Sequence, residues 1–97
     1  MKIWLDDIRE CPDGWLHARS VNEAIGLVRH HTGHGWEAVS LDHDLGDFAY
    51  DGGDALKFVL WMAEHGIWPE DKPVVHSMNP VGRKNMEALI ERYGPYE

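Results

Sequence analysis

The sequence predicts an α/β fold, an open sheet of about four parallel strands covered by helices. Two observations carry this. Short apolar runs alternate with amphipathic helical stretches, the pattern of parallel strands joined by right-handed crossovers. Most of these runs are also apolar first and chemically active last, and ligands of open parallel sheets sit outside the carboxyl ends of the strands. At 97 residues the chain has the length of one domain, 1–97.

The elements follow in order. Residues 1–9 read as an apolar strand running into Leu5-Asp6-Asp7-Ile8-Arg9. A shorter strand, 15–19, ends in Arg19. Ser20-Val21-Asn22-Glu23 is a capping box, with Ser20 as N-cap and Glu23 reaching back. Val21, Ala24, Ile25 and Val28 then fall on one helical face, and Gly33 is the expected stop. Residues 39–46 form the next strand, running into Leu41-Asp42-His43-Asp44-Leu45-Gly46. A second helix starts at 52–54 and reaches His65, with Leu56, Val59, Leu60 and Ala63 as its core stripe and Gly66 as its end. Phe58, Trp61 and Met62 widen that stripe. The strand at 73–80 carries Val74-Val75-His76-Ser77-Met78-Asn79-Pro80. Asn79 then caps a third helix with Pro80 at its first position, where a missing N–H costs nothing. Met86, Leu89, Ile90 and Tyr93 form its face, and Gly94 with Pro95 closes it. Trp4, Trp36, Trp61 and Trp68 read as core or half-core, and Trp15 as a cleft residue.

Composition narrows the function. A formal net charge of −8 argues against an extended nucleic-acid surface. A nucleic-acid end held locally by a metal and one or two Arg residues remains open. The single cysteine, Cys11, excludes an internal disulfide and fits a reducing cytoplasm. Residues 1–5 lead straight into two aspartates, unlike a signal peptide. No apolar run approaches the ~20 residues of a membrane span. His30, His31 and His34, beside Gly33 and Gly35, read as a solvated helix end.

The strand ends carry metal and phosphate chemistry. Asp6 and Asp7 repel each other unless a cation sits between them. Asp42 ends a neighbouring strand and brings a third carboxylate. Hard oxygen ligands of this kind suit Mg²⁺ or Mn²⁺. Asp44 is either a further metal ligand or the acceptor that orients His43; a His-Asp pairing would also suit Zn²⁺. Ser77, Asn79 and Arg83 surround a helix start whose free N–H groups and dipole favour a phosphate, and Gly82 permits close approach. His43 and His76 then stand as general acid and base, because His titrates near physiological pH. Arg9 and Arg19 are each either ligand contacts or surface ion pairs.

These motifs resemble the receiver domains of two-component signalling. There an acidic pair follows the first strand, a phosphorylatable Asp ends the third, and Ser or Thr ends the fourth. Asp6 and Asp7, Asp42 and Ser77 match those positions. Residues 15–23 resemble the second receiver strand running into its helix, with the usual first helix reduced to 10–14. The last receiver strand, ending in Lys before Pro, has no counterpart in 1–97.

The chain is more similar to the cyclic-phosphate processing receiver-like family. The matching residues are Leu-Asp-Asp-Ile-Arg at 5–9, Ser-Leu-Asp-His-Asp-Leu-Gly at 40–46 and His-Ser-x-Asn-Pro-x-Gly at 76–82. The similarity runs from Ile3 to Ile90. It implies a minimal receiver-like (flavodoxin-like) three-layer sandwich with strand order 2-1-3-4. It also implies a phosphoesterase acting on a cyclic phosphate, either an RNA 2′,3′-cyclic end or a cyclic nucleotide. Two alternatives stay open: a non-catalytic signalling module accepting a phosphoryl group on Asp42, and a module that binds a cyclic nucleotide without cleaving it. The sequence leaves the oligomeric state open.

Overall fold

The computed structural model describes residues 1–31 and 35–97; Gly33 and His34, the expected helix stop and part of the histidine cluster, lie outside the described residues. The elements are β1 (Lys2–Leu5), β2 (Leu16–Ala18), α1 (Val21–His30), β3 (Ala38–Leu41), a 3-10 helix (Gly46–Tyr50), α2 (Ala55–His65), β4 (Val74–Val75) and α3 (Pro80–Tyr93). The four strands are parallel and ordered β2-β1-β3-β4, with the three helices completing the receiver-like α/β fold.

Register decides which side chains share a face. Ile3 aligns with Leu16 and Val39, Leu5 with Ala18 and Leu41, and Leu41 with Val75. Strand side chains alternate faces, so these residues point the same way. All but the edge residue Leu16 are buried. The helices close this face with Val21, Ala24 and Val28 from α1, Phe58, Val59 and Met62 from α2, and Met86 and Ile90 from α3. The crossovers β2 to β3 and β3 to β4 move the same way along the sheet. Right-handedness therefore puts α1 and α2 on one side, where α1 contacts α2 and α2 contacts α3.

The opposite face is thinly covered. Lys2, Trp4, His17, Ser40 and Val74 fall on it by alternation. Its cover is the connection 6–15, which Pro12 and Gly14 keep out of helix. From that connection Trp15 sets its ring edge-on against Trp4, centroids 6.1 Å apart, with the Lys2 ammonium 5.8 Å from its centre.

The caps follow the sequence, with one shift. Ser20 Oγ accepts the Glu23 amide at 3.1 Å, but Glu23 reaches back to the amide of Arg19 rather than Ser20. Asp54 caps α2 and Asn79 caps α3. The buried stripe of α2 is Ala55, Phe58, Val59 and Met62, one residue earlier than the spacing suggested. Phe58 drives the turn: its ring stacks on Trp61 at 5.9 Å and meets Trp36 at 6.0 Å. Leu56, Leu60 and Ala63 are left half-buried. On α3, Tyr93 stays 51% exposed, so Met86 and Ile90 carry that face. Among the described residues no helix is long and apolar enough to cross a membrane.

Candidate functional site

The sheet ladder continues one residue past its strands. The Asp6 amide donates to the Ala18 carbonyl at 3.1 Å, the Asp42 amide to Leu5 at 2.9 Å, and the His76 amide to Leu41 at 2.9 Å. Asp6, Asp42 and His76 are thus fixed side by side on the carboxyl edge.

Asp6 is fully buried and fully bonded. Its Oδ1 accepts the amides of Ile8 and Arg9, both at 2.9 Å. This local turn lifts the chain off the sheet and brings Asp7 round to the same edge. Its Oδ2 accepts from Arg9 Nη1 at 3.1 Å and from His76 Nε2 at 2.8 Å. Burial alone would raise its pKa, but these four donors together hold the carboxyl below the usual carboxylate value. Asp42 behaves oppositely. Burial, then the negative charge of Asp6, pushes its pKa up, and Arg9, with its Nη1 3.7 Å away, and His76 only partly offset this.

Asp7 supplies the deciding detail. Its Oδ1 is buried and has no hydrogen-bond partner. Its Oδ2 rests against Gly46, where a Cβ would stand 2.5 Å from that oxygen. Gly46 also has φ +53, a conformation that glycine adopts without strain. Asp6, Asp7 and Asp42 each offer an oxygen within 4.8 Å of the others. They line a cleft of about 330 Å³ together with Arg9, Asp44, Gly46 and the exposed Ile8 and Met78. Three crowded carboxylates, one with an orphaned buried oxygen, fit a hard divalent cation.

A family model of the cyclic-phosphate processing receiver domain matches residues 1–92. The chain belongs to this family. Searches of curated proteins and of solved structures found no match. Membership accords with the strand order and suggests a role in cyclic-phosphate processing.

In this receiver domain the other expected site residues are built differently. Asp44 lines the cleft, but its oxygens are engaged by His43 Nδ1 at 2.9 Å and by Asn79 Nδ2 at 3.3 and 3.4 Å. The His43 bond, with Asn79 assisting against burial, holds its pKa low. Asp44 does not join the trio. His43 itself does not line the cleft. One residue past Asp42, its ring lies between Asp44 and Asp54 Oδ2, 3.7 Å away, and packs on α3 at Gly82. A Cβ at Gly82 would fall 2.3 Å from that ring, so Gly82 makes room for His43.

His76 also stands outside the cleft lining, with both ring nitrogens held. Nε2 bonds Asp6, and Nδ1 lies 2.7 Å from Ser40 Oγ. The ring stacks on Trp4, centroids 4.1 Å apart and planes 6° apart. Ser77 is buried and accepts the Asn79 amide at 3.1 Å, while Asn79 Oδ1 accepts the Gly82 amide at 3.0 Å. The first turn of α3 is thus capped by its own residues. Arg83 pairs with Glu87 at 3.0 Å, and Arg19 is exposed outside the cleft. Trp15 packs on Trp4 rather than lining the cleft. The sequence reading missed Ser40. Its signal was a lone hydroxyl between Val39 and Leu41, on the face away from the helices.

Proposed function

We propose that this domain is a metal-dependent phosphoesterase that opens a cyclic phosphate, on an RNA 2′,3′-cyclic end or a cyclic nucleotide. The observation that carries it is the unpartnered Asp7 Oδ1, buried beside the carboxylates of Asp6 and Asp42. Asp6, Asp7 and Asp42 would hold Mg²⁺ or Mn²⁺, which would supply Lewis acidity for phosphoester hydrolysis.

The chain's own residues do the rest. Asp6, an acceptor only, takes Nε2–H from His76, and the Ser40 hydroxyl holds the other ring nitrogen, Nδ1. This pairing keeps Asp6 ionised and aimed, the role outer partners play at metal sites. Arg9 brings a guanidinium to the cleft, suited to a phosphate oxygen. Water adds to phosphorus, one ring P–O bond breaks, and the water proton ends on the released hydroxyl. The product is a 2′- or 3′-monophosphate when the substrate is a 2′,3′-cyclic phosphate.

One observation favours a second reading, a module that binds a cyclic phosphate without cleaving it. Neither His43 nor His76 is among the residues lining the cleft, and both rings are held by protein partners. Incubation with Mg²⁺ or Mn²⁺ and a panel of nucleoside 2′,3′-cyclic phosphates, cyclic mono- and dinucleotides and cyclic-ended RNA separates the two. Appearance of monoester by ³¹P NMR supports the phosphoesterase. Intact ligand that nonetheless raises the melting temperature replaces it with the binding module.

A further inference from the structure

Arg9 contacts two of the three carboxylates. Its Nη1 lies 3.1 Å from Asp6 Oδ2 and 3.7 Å from Asp42 Oδ2. Among the described residues it is the one Lys or Arg side chain lining the cleft. Its main chain is fixed, since its amide bonds Asp6 Oδ1. Its side chain is 43% exposed and has open solvent to move into. A small divalent ion shared by Asp6, Asp7 and Asp42 would meet this guanidinium as a neighbouring like charge. Cations that close, sharing the same carboxylates, repel. Asp6 would not be stripped by the guanidinium leaving, because the Ile8 and Arg9 amides and His76 remain on it.

We infer that Arg9 is the counter-cation of the metal-free cleft, and that it gives up its place to the divalent ion and swings out to take a phosphate oxygen. The inference rests on the metal site proposed above and adds an order to it: ion first, phosphate second. Arg9 has opposite effects on the two ligands, competing with one and recruiting the other. A static brace that merely held the trio together would help both.

Calorimetric titration of the full chain with Mg²⁺ alone, then of the Mg²⁺-loaded protein with inorganic phosphate, tests this. Arg9→Gln should bind Mg²⁺ more tightly than wild type, by about twofold to fivefold, the range that releasing a half-exposed ion pair allows. It should bind phosphate more weakly. Arg9→Lys keeps the competing charge and loses the planar fork, so its Mg²⁺ affinity should stay near wild type while phosphate binding falls. Both variants retain the backbone bonds to Asp6, and a cooperative melting transition in EDTA checks their folding. Equal or weaker Mg²⁺ binding by Arg9→Gln overturns the exchange while leaving the metal site standing. A flat wild-type titration overturns both together. A measurement on the wild-type side chain is the Arg9 Nε–H signal in ¹⁵N NMR, identified by its loss in Arg9→Gln. Its exchange with water should quicken when Mg²⁺ is added, and an unchanged rate counts against the swing.

Discussion

The carboxyl edge of the sheet has two halves of similar composition and opposite construction. At the β1–β3 half, Asp6, Asp7 and Asp42 crowd together, and one buried oxygen is left without a donor. At the β3–β4 half, Asp44, His43, Ser77 and Asn79 satisfy one another and the first turn of α3. The first half leaves an acceptor open; in the second the side chains bond one another, although Asp44 stays exposed on the cleft. The difference teaches that reaching the edge is not enough. What the chain does next decides whether a side chain faces a ligand. The turn on Asp6 and the left-handed Gly46 aim Asp7 at its neighbours, whereas His43, one residue past Asp42, turns to the helices.

The largest expected effect breaks or upholds that contrast directly. Asp7→Asn and Asp42→Asn should each slow cyclic-phosphate opening by about 10²–10³-fold, as for loss of one stabilising group at a reacting charge. Both should also erase the rise in melting temperature with Mg²⁺. His43→Gln should leave turnover nearly unchanged, and a loss as large as that of the aspartates would place both halves in one active site. Next comes Gly46→Ala. A methyl 2.5 Å from Asp7 Oδ2 must displace it, so metal affinity should fall about 10–100-fold by titration.

His76→Gln sharpens the comparison. Acting through Asp6, it should cut metal affinity about 10–100-fold and restore most turnover at saturating metal. A proton-carrying role would instead leave a 10²–10⁴-fold deficit, about what general acid–base catalysis supplies, even with metal in excess.

The smallest effect is in stability without metal. Asp42 has a folded pKa above its ordinary 3.8, so the stability linked to it is present below that pH and lost as pH rises through the folded value. Removing the charge avoids that loss. Asp42→Asn should therefore melt higher than wild type in EDTA at pH 7, with the gain vanishing near pH 3. One kcal/mol corresponds to about 4–8 °C in a domain this small. Asp6 has the opposite sign: its depressed pKa contributes stability at neutral pH that is lost as acid protonates it, so Asp6→Asn should melt lower.

The parallel strands, the three capped helices and the strand-end aspartates were legible from local pattern, while the strand order came with the family resemblance. Strand ends locate Asp6 and Asp42 to within a residue. Ring contacts were not legible. Nothing local tells that His76 bonds Asp6, seventy residues earlier, or that Gly82 exists to admit the His43 ring. The shifted stripe of α2 has the same origin, since Phe58 buries itself against Trp36, whose position depends on the fold. Arg9 and Arg19 were indistinguishable by residue type; only the turn after β1 brings Arg9 into the cleft.

The stack of Trp4 on His76 also makes the site optically addressable. The emission of an indole changes when the ring stacked on it moves. Trp4 therefore reads out the position of the His76 ring, whose Nε2 bonds the Asp6 carboxylate. Five tryptophans emit together, but the difference spectrum between wild type and Trp4→Phe isolates this one. Drawing Asp6 towards an added ion should change that spectrum, so occupancy of the cleft can be followed by light without labelling the chain.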